Sequence, residues 1–425
     1  MKIESAADGP RSDPPSQGKP NGVVPTAGNS SYRWLALFIV WGAFLLSYTV
    51  RVAWNPIMAP VGASLGIKVA LLGAFVTAFY TGYVIANILG GMITDVFGGR
   101  LTLAASLFLL GGFTYAFGYT DSLAVGIAIQ ALMGLTAGAD YAAGMKIIAT
   151  WFSKDRGRAM GLYTTATSLA VIIANAVAPS FTAAYGWVKL YHVMGFITFA
   201  WGIVALLLLR KEAAHPHHVH ASPVKFGHTF SVLRNRNLIV LAIAGFGGLW
   251  ATVGFRTWGN SLMIKGHDIS PVVAGAVMAW FGIGALVAKP VFGWVSDLHW
   301  VSRKVFSIFL FSMAVVFLVV FGYCTTVTQF YIVATLIGVF GFAYLPVLMA
   351  QISDATGSNL AGAGAGWTNA IWQTGSAISP LAVGYAYSAT NSFLASLLVL
   401  AIGPVIGVLS LLLIKSEPRS KGHSA

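Results

Sequence analysis

Gly91-Met-Ile-Thr-Asp95-Val-Phe-Gly-Gly-Arg100 is echoed later in the chain by Gly293-Trp-Val-Ser-Asp297, with Arg303 and Lys304 just beyond. The two aspartates are 202 positions apart. A second pair of markers repeats at nearly the same offset. Gly161 precedes Pro179 by 18 residues and Gly362 precedes Pro380 by 18, the prolines being 201 apart. Two independent markers at one offset argue that the chain is a duplicated unit.

Both units are embedded in apolar sequence. Of the 425 residues 57% are hydrophobic and 9% charged, with a mean hydropathy of +0.78. A soluble domain carries roughly 25% charged residues, so this chain lacks the polar surface that water requires and fits a bilayer. A membrane-crossing helix needs about 20 apolar residues. Twelve such stretches can be laid out, at 34–56, 69–93, 101–119, 123–149, 159–184, 188–209, 237–263, 271–295, 305–323, 328–352, 362–387 and 391–414. The predicted fold is therefore an all-α membrane protein of twelve transmembrane helices in two pseudo-symmetric six-helix bundles, 33–209 and 237–414. A linker at 210–236 joins them, and tails at 1–32 and 415–425 flank them. The first tail is rich in Pro, Gly, Ser and Asp without an apolar signal-peptide core and reads as disordered.

The even number of crossings puts both termini on one side. Of the 25 Lys and Arg, 18 fall on that side, while only Lys68, Lys189 and Lys265 lie opposite. Lys and Arg gather on the cytoplasmic side, so both termini are expected in the cytoplasm and the protein in an inner membrane. The formal charge of +13 then reflects topology and anionic lipid; no nucleic-acid partner is implied. One cysteine, Cys324, excludes an internal disulfide. The His215-Pro-His-His-Val-His220 run reads as solvated linker, because no carboxylate or cysteine accompanies it, and no metal or cofactor is expected. Catalytic residues are absent as well: an intramembrane enzyme needs a nucleophile with a base, or metal ligands, and His192, the one histidine in a span, has no evident partner.

Ionised residues inside a membrane are costly and usually mark a functional cavity. Four bases, Arg51, Lys146, Arg256 and Lys289, fall within the spans, against Asp140 as the one deep carboxylate. That surplus calls for an anion. Arg51 is too deep to reach the interface and is assigned to binding, as is Lys289; Lys146 is read as snorkelling. For Arg256 a vestibule role and an interfacial anchor stand equal. For Asp140 a proton-carrying role and a structural salt bridge stand equal.

Gly91-x-x-x-Asp95-x-x-Gly98-Gly99-Arg100 resembles the signature loop of the major facilitator superfamily. In that superfamily the aspartate and base latch the cytoplasmic side, a gating role the resemblance extends to Gly91, Asp95, Arg100, Asp297 and Arg303. A narrower resemblance, to the anion:cation symporter family, rests on several motifs. They are Tyr48-x-x-Arg51, Gly82-Tyr83 with Gly90-Gly91, Trp151-Phe152-x-x-x-Arg156-Gly157-Arg158-Ala159-x-Gly161, and Asn369 with Gly375 and Pro380. It implies that Arg51 binds a substrate carboxylate with help from Tyr48, Tyr83 and Asn369. Lys289-Pro290 ahead of Gly293 is similar to the Arg-Pro of oxalate/formate and monocarboxylate porters, which implies a second carboxylate contact at Lys289. Trp372 and Gln373 are candidates to line the cavity beside Asn369, with helix packing an equal alternative. The chain departs from the symporter pattern at Val50 and Ala137, where that family has acids, and at Gln130, where it has an arginine.

The expected function is secondary active transport of a small organic anion, a carboxylate or sulfonate, by alternating access. Proton-coupled uptake is the first expectation, with Asp140 as carrier, in a monomer surrounded by lipid. Anion/anion exchange is the alternative, followed by a transporter-like receptor or an efflux carrier.

Overall fold

A computed structural model describes residues 31–152, 156–210, 235–297 and 302–414. The expected N-terminal tail up to residue 30, the interior of the linker and the C-terminal tail lie outside the described residues, as do the side chains of Asp95 and Asp297.

The elements are all helices: α1 Tyr32–Ser64, α2 Val69–Phe97, α3 Gly99–Phe117, α4 Leu123–Trp151, α5 Arg156–Tyr185 and α6 Trp187–Leu208 in the first half. The second half holds α7 Arg236–His267, α8 Pro271–Asp297, α9 Arg303–Phe321, α10 Val327–Thr390 and α11 Phe393–Leu412. Among the described residues eleven helices are long and apolar enough to cross a membrane. Single residues in the positive-φ region that glycine tolerates best join α2 to α3 (Gly98, φ 81°) and α5 to α6 (Gly186, φ 85°). At α7 the Asn235 side chain accepts from the backbone of Asn237 and Leu238. At α10 Thr326 and Gln329 form a capping box, satisfying donors that a helix start leaves open.

The stretches expected at 328–352 and 362–387 fall within one helical element here, Val327–Thr390. The 64 residues of α10 would be about 96 Å long if straight, about three times the hydrocarbon thickness. They are not straight. A Cβ on Gly245 would meet the Trp372 indole at 2.0 Å, and one on Gly248 would meet the Tyr344 ring at 2.3 Å. Tyr344 and Trp372 thus rest on α7 within one turn of each other, so α10 bends back between them and supplies two crossings. Among the described residues eleven elements thus supply twelve crossings.

The duplication read from the markers recurs in the packing. A Cβ on Gly134 of α4 would lie 1.9 Å from the Phe79 carbonyl oxygen of α2, and one on Gly338 of α10 would lie 2.0 Å from that of Phe281 on α8. Gly82 against the Ala131 carbonyl oxygen (2.1 Å) and Gly284 against that of Thr335 (2.3 Å) repeat the same relation. Such approaches exist only where side chains are missing, and they let helix backbones touch in a medium without a hydrophobic drive between helices.

Hydrogen bonds join the halves at Thr77–Ala377, Asn260–Asn175, Arg256–Tyr48, Arg256–Tyr80 and Lys289–Thr167. The first four lie at mid-helix or toward the membrane face away from the termini, here called the far face, whereas Lys289–Thr167 lies nearer the face that holds the termini. Further out, a Cβ on Gly73 would lie 2.3 Å from the Pro380 carbonyl oxygen, and one on Gly275 2.3 Å from that of Asn175. The halves are therefore shut against each other at the far face.

Candidate functional site

The centre of the molecule is built from α1, α2, α4, α7 and α8. Arg51, a little past the middle of α1, is 9% exposed. Its guanidinium carbon lies 3.9 Å from the Tyr83 ring centroid, 4.8 Å from that of Tyr48 and 5.5 Å from that of Phe79. Nε and Nη2 are enclosed without an acceptor, and Nη1 is the less enclosed nitrogen. A desolvated cation–π contact is worth about 2 kcal/mol, whereas withdrawing a charge from water costs several. The aromatic cage alone does not balance the charge.

Asp140 on α4 is 1% exposed, and neither carboxylate oxygen has a hydrogen-bond partner. Arg51 is the base that acts on it electrostatically, yet the two form no ion pair. The salt-bridge alternative raised by the sequence therefore has no direct contact to rest on.

Lys289 on α8 donates to Thr167 Oγ1 at 2.9 Å and Ser168 Oγ at 3.0 Å on α5, and sits 5.3 Å from the Phe342 ring centroid. Both hydroxyls are neutral, so its charge is solvated but not cancelled. Asn369 and Gln373 are half-buried one turn apart on α10. Among the described residues Asn369 makes no side-chain hydrogen bond, and Gln373 accepts from Ser376 at 3.1 Å. Trp372 is different. Its indole is 1% exposed, lies over Gly245 and donates to the Leu241 carbonyl at 3.1 Å. It packs α10 onto α7 and is no part of the cavity lining, because the helix phase that points Asn369 and Gln373 outward points Trp372 into its own bundle.

Arg256 is the residue sequence reasoning undervalued. The helix predicted at 237–263 continues to His267, which places Arg256 about 16 Å inside the far end. It is 2% exposed. Nη1 donates to the Tyr48 hydroxyl and Nη2 to the Tyr80 hydroxyl, both at 2.6 Å. It is neither an interfacial anchor nor a vestibule residue. A signal was present: Thr252, Arg256, Thr257, Asn260 and Ser261 recur at helical spacing in an otherwise apolar helix, and all are buried. Tyr80 carried no such signal.

The expected gating residues lie toward the membrane face that holds the termini. A Cβ on Gly91 would meet nothing within 4 Å. Arg100 donates from Nε (3.0 Å) and Nη2 (2.6 Å) to the Leu206 carbonyl at the end of α6. Arg303 pairs with Asp354 at 2.6 Å, and Lys304 donates to the carbonyls of Leu412 (3.0 Å) and Ile414 (2.7 Å) at the end of α11. These contacts stay within each half. Lys146 donates to the Thr94 carbonyl of α2 at 2.9 Å.

Two repeated helical halves that meet around buried, unneutralised cations define a polytopic membrane carrier. Residues 40–264 and 259–425 each match the Major Facilitator Superfamily model; the chain belongs to that superfamily, and it is a transporter, not an enzyme. It is 24% identical over 428 residues to a probable galactarate/D-glucarate transporter of Bacillus subtilis, covering 92% of this chain and 94% of the relative. It is 25% identical over 378 residues to the hexuronate transporter of the same organism, covering 83% and 87%. Among solved structures it superposes on a bacterial homologue of the human lysosomal transporter Spinster, inward-facing and unoccupied. The TM-score is 0.79 at 12% identity, over 91% of this chain and 98% of that one, a likeness of fold.

Proposed function

We propose that this chain is a secondary active transporter that takes up a small organic anion with a proton, by alternating access. The observation that carries this reading is Arg51: a buried guanidinium in a cage of neutral rings, with two nitrogens lacking any acceptor. A substrate carboxylate is the group that balances it, held by charge-assisted hydrogen bonds. Lys289 supplies a second positive pole from the other half, and Tyr48, Tyr83, Asn369 and Gln373 frame the space between. Two poles from opposite halves suit a dicarboxylate, or a single acid group shared by both halves during closure. Relatives named for galactarate, glucarate and hexuronate support a sugar acid as the first substrate to try.

Asp140 is the proton site in this reading. A carboxylate beside an anion site can take up a proton as the like charge arrives, because the two negative charges repel. Proton and anion then travel together. The distribution of Lys and Arg supports cytoplasmic termini in an inner membrane, and the present far-side closure then corresponds to a cavity reached from the cytoplasm. Exchange of two anions is the second reading, favoured by Val50 and Ala137 standing where the resembling symporters carry acids.

Uptake of labelled galactarate, glucarate, a hexuronate and an alkyl sulfonate into proteoliposomes separates these readings. Accumulation driven by an imposed proton gradient supports symport. Uptake that appears only with preloaded unlabelled anion supports exchange. If no anion moves under either condition and Arg51→Ala leaves anion binding unchanged, the organic-anion reading fails.

A further inference from the structure

Arg256 and Arg51 are both buried guanidiniums near Tyr48, but their nitrogens are used differently. Arg51 keeps one less enclosed nitrogen and has no hydroxyl partner. Arg256 directs both Nη groups to hydroxyls at 2.6 Å, and its Nε is enclosed without a partner. The two hydroxyls belong to α1 and α2 of the first half, whereas Arg256 belongs to α7 of the second. One side chain thus ties three helices across the line along which the halves must part.

The surroundings extend this tie into a ladder. Gly73, Thr77 and Tyr80 recur on one face of α2. They meet, in order from the far face inward, the Pro380 carbonyl, the Ala377 carbonyl (2.6 Å from Thr77 Oγ1) and Arg256. On α7, one turn outward from Arg256, Asn260 donates to Asn175 of α5 at 2.8 Å, with both side chains fully buried. The Arg256 rung is the innermost of these and the one carrying a charge.

We propose that Arg256 is the bolt of the far-side seal: a positioning residue that holds Tyr48 and Tyr80 of the opposite half, and does not contact the carried anion. A hydrogen bond to a charged group shifts an equilibrium by about tenfold or more, so two of them bias the carrier toward the far-closed state. Tyr48 also lies against Arg51. An anion seated on Arg51 therefore reaches the bolt through a single side chain, which couples loading to release of the seal.

The proposal rests on alternating access but not on the identity of what is carried, and its test needs no substrate. In a Cys324→Ser background, spin labels on Lys68→Cys and Ala389→Cys, both exposed at the far face, report the gap between the halves by double electron–electron resonance in nanodiscs. The parent should show a predominantly short distance. Tyr80→Phe should raise the ratio of separated to closed molecules about tenfold, and Tyr48→Phe with Tyr80→Phe should raise it further. Arg256→Gln added to that double variant should change little more. Distributions that superimpose on the parent overturn the proposal, as does a change seen in the variants only when galactarate is added, which would make Arg256 an anion ligand. Labels that separate as expected in a protein that transports none of the anions tested would support the bolt and count against the organic-anion reading alone.

Discussion

The guanidinium carbon of Arg51 lies 3.9 Å from the centroid of the Tyr83 ring, so the charge at the heart of the molecule is supported by a π-face and not by a carboxylate. The ring's contribution is then separable from its hydroxyl. Tyr83→Phe is expected to keep anion affinity within about threefold, whereas Tyr83→Leu is expected to weaken it about tenfold or more. Arg51→Lys should also lose at least about tenfold, since an ammonium lacks the fork that grips a carboxylate. Equilibrium binding of labelled anion to detergent-solubilised protein checks all three.

Asp140→Asn preserves shape while fixing the site in a neutral, proton-independent form. Proton-driven accumulation is expected to fall to the level of passive equilibration, while anion/anion exchange continues. Accumulation at parental levels in proteoliposomes would remove Asp140 from the coupling mechanism.

Two glycines at similarly close contacts should respond in opposite ways. Gly134 packs α4 on α2 inside one half, and its Cβ would lie 1.9 Å from a carbonyl oxygen; Gly134→Val is expected to destabilise the fold by about 1–3 kcal/mol or more. Gly275 makes a comparable contact, 2.3 Å from the Asn175 carbonyl oxygen, but across the halves. The halves can part without unfolding, so Gly275→Val should leave the melting temperature near the parental value and hold the far side open. Thermal unfolding, with the spin-label distance between Lys68→Cys and Ala389→Cys, distinguishes the two.

Arg100 and Lys304 hold the same place in the two repeats, each closing the end of its own half's last helix on Leu206 or on Leu412 and Ile414. Cations near a helix C-terminus are favourable. Arg100→Ala and Lys304→Ala should each cost about 1–2 kcal/mol of stability, and the two costs should add, because the sites lie in separate bundles. Thermal unfolding of the singles and the double checks this.

The sequence by itself determined the class, the crossings, the duplication and the existence of a cationic centre. Each depends on quantities that accumulate along the chain: apolar runs, an offset of about 200 residues between markers, and charges too deep to reach water. Arg51, Tyr48 and Tyr83 lie together in the structure. The tertiary structure alone decided the partners. Arg256 finds hydroxyls 208 and 176 positions away, and nothing local to α7 says which helices will face it or how far it will lie from the membrane surface. Trp372 left the candidate lining for the same reason, since the phase of α10 against Gly245 is set by how two helices pack. Local pattern fixes what a segment can bury; contact between distant segments fixes what it buries against.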